Sequence, residues 1–484
     1  VHSGVSNVIT GYDAGVYVHK DTDSQGSISN NDKKYNILIT AEGNDINEQG
    51  GIANTIVGYN NGLQVDSTSS SVRVGVIAQN GDNYIEGLKA YNDTNGYGIS
   101  TQGGTVDVIA ENGDNYIGGV IGVNAEGAAE NIYEKSVNLI AENNYIFTTE
   151  ENKNNADNSI GVNIAGSSVK AEATSGNNII GVSSSSSEKS ANQDLFNEGL
   201  VMSGGTAEFT AASANLVRAY QNGIHIESGD NNVTLQGAYN EVSVNSGNAI
   251  VTDAGSDSNI TITSTAENGI NSIISYGEDG KGIYTEKDSS GEIYIQGKGE
   301  IGVLNQIYAG GTAIDHSGSQ SIEIKDDQGT NVIVGGYNFE NDNLKKSESA
   351  SGIVLNGNGT IHVSGLKNQV FGANNGIELT KNVSSNQPYN IQLESHGSEG
   401  NTVVGNNNGI FNQGSYSIAS IVAKGGSNYI GGGESGITST GGTIYVNAHT
   451  NNTVYSNKIG ISASDTNVTL TADDFNYATS DEYN

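Results

Sequence analysis

Residues 97–118 read YGISTQGGTVDVIAENGDNYIG, and three signals in this stretch recur along the chain. Gly98-Ile99 sets a glycine before an aliphatic residue. Val106 and Val108 then alternate with polar neighbours, and the small Ala110 follows. Asn115-Tyr116-Ile117 completes the set as Asn-x-Ile/Val, and from one such asparagine to the next the order is asparagine signal first, glycine signal second and alternating strand third. The asparagine signal recurs once per repeat, at Asn7, Asn54, Asn83, Asn115, Asn144, Asn177, Asn215, Asn240, Asn271, Asn305, Asn331, Asn368, Asn401, Asn428 and Asn452. Those positions average about 32 residues apart, inside the span of roughly 20–50 residues that marks solenoids, propellers and arrays.

Aliphatic residues two apart share one face of a strand. Ile37 and Ile39, Val137 and Leu139, Ile322 and Ile324, and Ile444 and Val446 all follow that rule. Polar residues such as Asp107, Asn138, Glu323, His362 and Gln392 take the opposite face. The glycines of Gly15-Val16, Gly62-Leu63 and Gly98-Ile99 read as turn formers. The small residues at Ala41, Ala110, Ala141, Gly365 and Ala448 read as a corner where the core narrows. Asparagine suits turns, and amides repeated once per period can bond to one another as they do in stacked in-register strands. The expected fold is all-β: a right-handed parallel β-helix of about 15 coils with three short strands per coil, running as one elongated domain over residues 1–484. A propeller is the rival, but its blades need four strands over roughly 40–45 residues.

Composition supports a long stack of strands and turns. There are 67 glycines and a single proline, Pro388, which would otherwise interrupt strand ladders. Cysteine and tryptophan are absent. The net charge is −34, from 54 acidic and 20 basic residues. Nucleic acid requires a basic track, so it is excluded as a partner. Anionic lipid is disfavoured for the same reason, and acidity of this size keeps a long surface soluble. No run approaches the roughly 18 apolar residues of a membrane span, so no membrane insertion is expected. Val1 opens directly on strand-like sequence without a leader, as expected of either a cytosolic chain or a trimmed mature fragment, and the start within a repeat favours the fragment.

Catalytic constellations find little support. A polysaccharide lyase needs a strong base, and the only arginines, Arg73 and Arg218, fall in distant repeats. A glycosidase needs two carboxylates at defined separation. The adjacent acidic pairs Asp326-Asp327 and Asp473-Asp474 instead end third strands and read as solvated turns. The seven histidines lack metal-ligand spacing, and His225 and His362 read as polar surface. The expectation is no cofactor, no metal and no enzyme. A carbohydrate-active β-helix enzyme and a structural fibre or stalk stand as alternatives.

Binding is expected where the repeat is decorated or broken. Tyr84, Tyr116 and Tyr145 occupy the same place in consecutive repeats, next to inward isoleucines, so their rings should point outward. At strand spacing they would form a ladder about 10 Å long. Such a ladder either stabilises the sheet by cross-strand stacking or offers a sticky stripe. Insertions fall at 88–96, 149–159, 182–197 and 336–350 between first and second strands, and at 19–34, 126–135 and 381–388 between second and third. The 149–159 and 182–197 insertions belong to neighbouring repeats and should lie side by side. They contribute Glu150, Glu151, Asp157, Glu188, Lys189, Asp194 and Phe196 as candidate contacts.

Irregular repeats of about 25–40 residues, Asn and Gly at turns, no cysteine, few prolines and an acidic surface resemble the passenger domains of monomeric, type V autotransporter adhesins. The resemblance runs from Asn7 to Asp474 and rests on pattern, with no diagnostic motif. It implies secretion by a Gram-negative bacterium and display at the cell surface, through an outer-membrane anchor outside this sequence. It also implies adhesion to a host or bacterial surface protein or glycan, or self-association in aggregation and biofilm. No binding residue of that family transfers by position.

Overall fold

The alternation seen in the sequence folds as parallel strands. The computed structural model describes residues 1–3, 6–20, 37–43, 51–67, 72–88, 96–127, 136–148, 159–183, 195–299, 302–326, 328–340, 343–344, 349–380 and 389–481. They fall into two compact units, Val1–Gly237 and Ala238–Asn484. Every element among the described residues is a strand, and none is a helix.

In the first unit, Asp82–Gly87, Asn115–Gly118 and Asn144–Thr148 stack in parallel, with Asn83, Asn115 and Asn144 opposite one another. Tyr97–Gln102, Ile121–Glu126 and Ile160–Ala165 form a second stack. Arg73–Asn80, Thr105–Ala110 and Ser136–Ala141 form a third. A given strand therefore pairs with its equivalent one sequence period away. The second unit repeats the plan: Asn401, Asn428 and Asn452 align, as do Ile410, Ile437 and Ile461. Parallel pairing between periods makes the architecture solenoid-like and excludes propeller blades, which are antiparallel. Val74, Val76, Val106, Val108, Val137 and Leu139 are fully buried. Each such side chain contributes roughly 1.5–3 kcal/mol on leaving water.

The asparagines do more than turn the chain. Asn83 donates from Nδ2 to Oδ1 of Asn115 at 3.0 Å and to the carbonyl of Ile109 at 2.9 Å. Asn144 repeats this to Asn178 at 2.8 Å and to the Glu172 carbonyl at 3.0 Å. Thus one amide closes a side-chain ladder and also clasps the third strand that follows it along the chain. In the first unit such rungs link Asn7, Asn54, Asn83, Asn115, Asn144, Asn178 and Asn215. In the second unit they run from Asn240 to Asn476. Asn476 is a rung that the Asn-x-Ile/Val pattern misses, because Ala478 stands where the aliphatic residue should be.

The rung in one repeat is Asn178 and not Asn177. Asn178 lies opposite both Asn144 and Asn215. The run Asn177-Asn178-Ile179-Ile180 satisfies the pattern in two frames. Only the second frame buries Ile180, since a slip of one residue turns a strand over.

Two small-residue rules now have a cause. A methyl on Gly365 would meet Nδ2 of Asn331 at 2.7 Å, so the corner is narrow because the amide ladder occupies it. The glycines of the second signal are not turn formers. Gly161 lies within a strand and has no positive φ, yet a Cβ there would stand 2.6 Å from the Gly199 carbonyl and 2.3 Å from Cγ2 of Ile180. Glycine is required because the backbone of the next repeat and an isoleucine fill the space.

Replacing Asn144 by Ala leaves the amide of Asn115 and the acceptors Asn178 and Glu172 without their bonds. Urea unfolding should show a loss of at least about 1–3 kcal/mol. Asn447→Ala, exposed on the outer face of a strand, should change stability by about 0.5 kcal/mol or less. Equal losses from the two variants would contradict the ladder's structural role.

Candidate functional site

Tyr84, Tyr116 and Tyr145 stand in register on the outer face of the first unit, each half-buried. Tyr116 and Tyr145 stack with ring centroids 5.0 Å apart and planes 11° from parallel. Tyr84 instead faces Phe147, at 6.0 Å and 42°. The residue opposite Phe147 is Gly118, and the phenylalanine ring lies over it, where a Cβ would come within 2.6 Å. The three-residue column is therefore a two-ring stack plus a third ring turned toward a neighbour.

Carboxylates surround these rings. The residue before each ladder asparagine forms an outer column: Asp82, Asp114, Asn143 and Asn177. The Asp114 N–H donates to Asp82 at 2.9 Å. Both the backbone and side-chain nitrogens of Asn143 donate to Asp114 at 2.9 Å. The Asn177 N–H donates to Asn143 at 2.8 Å. Tyr116 donates its hydroxyl to Asp114 at 3.3 Å, and Tyr84 to Glu86 at 2.8 Å. Burial raises the Asp82 pKa; the Asp114 N–H opposes it, and the charges of Asp114 and Glu142 add to the rise. Burial, then Asp114 and Asp82, raise the phenols of Tyr116 and Tyr145. The patch thus presents two stacked rings with polar tips beside a concentrated negative field. That suits amphipathic groups, and cationic ones above all.

The other sequence candidates divide. Glu150, Glu151, Asp157, Glu188, Lys189 and Asp194 lie outside the described residues. Phe196 is fully buried and presents no binding surface. Its ring fills the space left by Gly122 and Gly161, coming within 3.5 and 3.2 Å of where their Cβ atoms would be. The 336–350 insertion is described in part. Tyr337–Asn338 pairs antiparallel with Asn343–Leu344. Tyr337 meets Tyr308 edge-on at 5.1 Å, and Phe339 packs on Tyr276 at 4.6 Å. This aromatic cluster was signalled only by Tyr337 and Phe339 within an otherwise polar insertion.

Two titratable groups, His225 and Asp326, differ from their sequence reading, and a third, His316, had none. His225 contacts Glu198 at 3.2 Å, and both side chains are mostly buried. Asp326 is buried, accepting the N–H groups of Gln328 and Gly329 at 2.9 and 2.8 Å, so it is no solvated turn residue. His316 is fully buried. Its Nε2 reaches the Gln320 carbonyl at 3.0 Å, so Nε2 carries the proton and Nδ1 accepts from Thr285 at 2.5 Å. Burial holds this imidazole down to about 4, against the upward pull of the Gln320 carbonyl. Among the described residues no three His, Asp or Glu side chains are grouped to hold a metal. No family model, curated protein or solved structure matches the chain.

Because His316 is depressed from its ordinary 6.5 to about 4, its contribution is complete above pH 6.5 and is lost as pH falls toward 4. That loss is about 3 kcal/mol. His316→Leu should flatten this part of the stability–pH profile, whatever its effect at neutral pH. A profile that keeps its slope between those values would rule out His316 as its source.

Tyr116 and Tyr145 hold their protons more tightly than an unfolded chain does. Their contribution is complete below pH about 10 and drains as pH rises past it. Ultraviolet titration of the wild type minus Tyr116→Phe should show a phenol ionising above pH 10; ionisation at or below the ordinary value would contradict the geometry.

Proposed function

We propose that this chain is the surface-displayed passenger of a monomeric autotransporter and acts as an adhesin. In this reading the strand stacks wind as a right-handed parallel β-helix of about 15 coils, in line with the handedness of parallel crossovers. The chain is secreted, held at the cell surface by a membrane domain outside this sequence, and binds without catalysing. Its partner is a host or bacterial surface protein or glycan, or a second copy of the chain.

The observation that carries the reading is the in-register tyrosine stack at Tyr116 and Tyr145 on the outer face of a solenoid-like scaffold. Rigid aromatic side chains offer contact area at low entropic cost, and such residues dominate binding hot spots. The scaffold supports them through buried ladders that leave the outer face free to vary.

Cells displaying the chain should aggregate or adhere to a cell, matrix or glycan panel. The double variant Tyr116→Ala with Tyr145→Ala should weaken that binding several-fold while the melting temperature stays within a few degrees. Displaying cells that neither aggregate nor adhere would remove the reading. If copies pair with each other, their net charge of −34 opposes contact. Added salt or Ca²⁺ should then strengthen clustering by screening or bridging.

A further inference from the structure

A groove of about 460 Å³ opens on the second unit, lined by Ser415, Tyr416, Ile418, Thr443, Asp465 and Asn467 among others. It crosses the starts of three stacked strands, Ser417–Ala423, Thr443–Ala448 and Asn467–Ala472. Ile418, Thr443 and Asn467 stand opposite one another there. At strand spacing the groove runs about 10 Å across the stack. Its volume lies within the roughly 300–1,000 Å³ of ligand clefts.

The floor and the rim are built differently. Floor residues spend their polar groups on the fold. Ser417 donates to the Gly414 carbonyl at 2.7 Å, and Thr466 reaches the carbonyls of Gly441 and Gly442 at 2.9 and 3.0 Å. Ser417 bonds Asn412 at 2.5 Å. Among the described residues, the rim side chains of Tyr416, Thr443, Asp465 and Asn467 have no such commitment. Tyr416 is 53% exposed, leaving a ring available to a ligand. Asp465 holds a left-handed backbone at φ 54°. It is one of two non-glycine residues with positive φ among those described. Aspartate tolerates that conformation better than most residues.

We propose that this groove binds a neutral pyranose unit of a glycan. One exposed aromatic ring gives the apolar face of a sugar a platform. A carboxylate, an amide and a hydroxyl around it match the mixed donors and acceptors of sugar hydroxyls. An anionic ligand would meet Asp465 with no lysine or arginine in the lining. An apolar ligand would strand those polar groups. The proposal does not rest on the Tyr116–Tyr145 patch, which is elsewhere in the chain and can fail or succeed independently.

The test is saturation-transfer NMR and calorimetry on the purified chain. The probes are the methyl glycosides of glucose, galactose, mannose and N-acetylglucosamine, with the methyl glycoside of sialic acid as the charged comparison. At least one neutral glycoside should bind. Tyr416→Phe should keep that binding, Tyr416→Ala should weaken it tenfold or more, and Asp465→Asn should weaken it several-fold. Unfolding curves matching the wild type confirm that these rim variants fold. The proposal is overturned if no neutral glycoside binds, if Tyr416→Ala binds as the wild type does, or if the sialoside binds as tightly as the best neutral probe.

Discussion

The buried asparagine amide is the constraint from which the rest of the structure follows. A carboxamide has two donor hydrogens and an acceptor oxygen, and here all are used inside the core. Asn54 shows the pattern: it gives one hydrogen to Asn83 and the other to the Ile77 carbonyl, and accepts from Asn7. Inside a low-dielectric core an unpaired polar group is costly, so this polar column holds only as a continuous column. It fixes the register of the first strands. It also sets the size of the residue at the neighbouring corner, as the space at Gly365 shows.

This explains which parts of the structure were legible in the sequence. Periodic features were visible because each repeat meets the same constraint: the alternating aliphatics, the parallel stacking and the position of the outer tyrosines. The frame at Asn177 and Asn178 was not, because two overlapping asparagine signals compete and only burial of Ile180 selects between them. The turn-forming reading of the second-signal glycines failed for a related reason. Composition alone does not distinguish a glycine needed for its dihedral from one needed for its missing side chain, and Gly161 is the latter.

Residues occurring once were the least legible. Phe196 looked like the end of an exposed insertion, yet two glycines in neighbouring repeats leave a space its ring fills. His316 replaces an inward residue at one level of the stack, where Ile314 and Leu355 are its buried neighbours. Its place inside a polar network with Thr285 and Gln320 depends on contacts between repeats that no local pattern encodes. Asp326 shows the same limit, since the strand-ending acidic pair gave no sign that its carboxylate is buried.

The amide column also has a direction. In each rung described above the nitrogen belongs to the earlier repeat and the oxygen to the later one, from Asn7 giving to Asn54 through Asn452 giving to Asn476. The second bond to a backbone carbonyl forbids the reverse orientation, because a carbonyl cannot donate. The side-chain dipoles of each unit therefore point the same way and polarise one another, as do hydrogen bonds in any aligned chain. A completed repeat meets its successor with two N–H donors already in place and meets its predecessor with an acceptor. The two faces of a repeat are therefore unlike, a polarity written in side chains within a sheet whose backbone alone carries little net dipole.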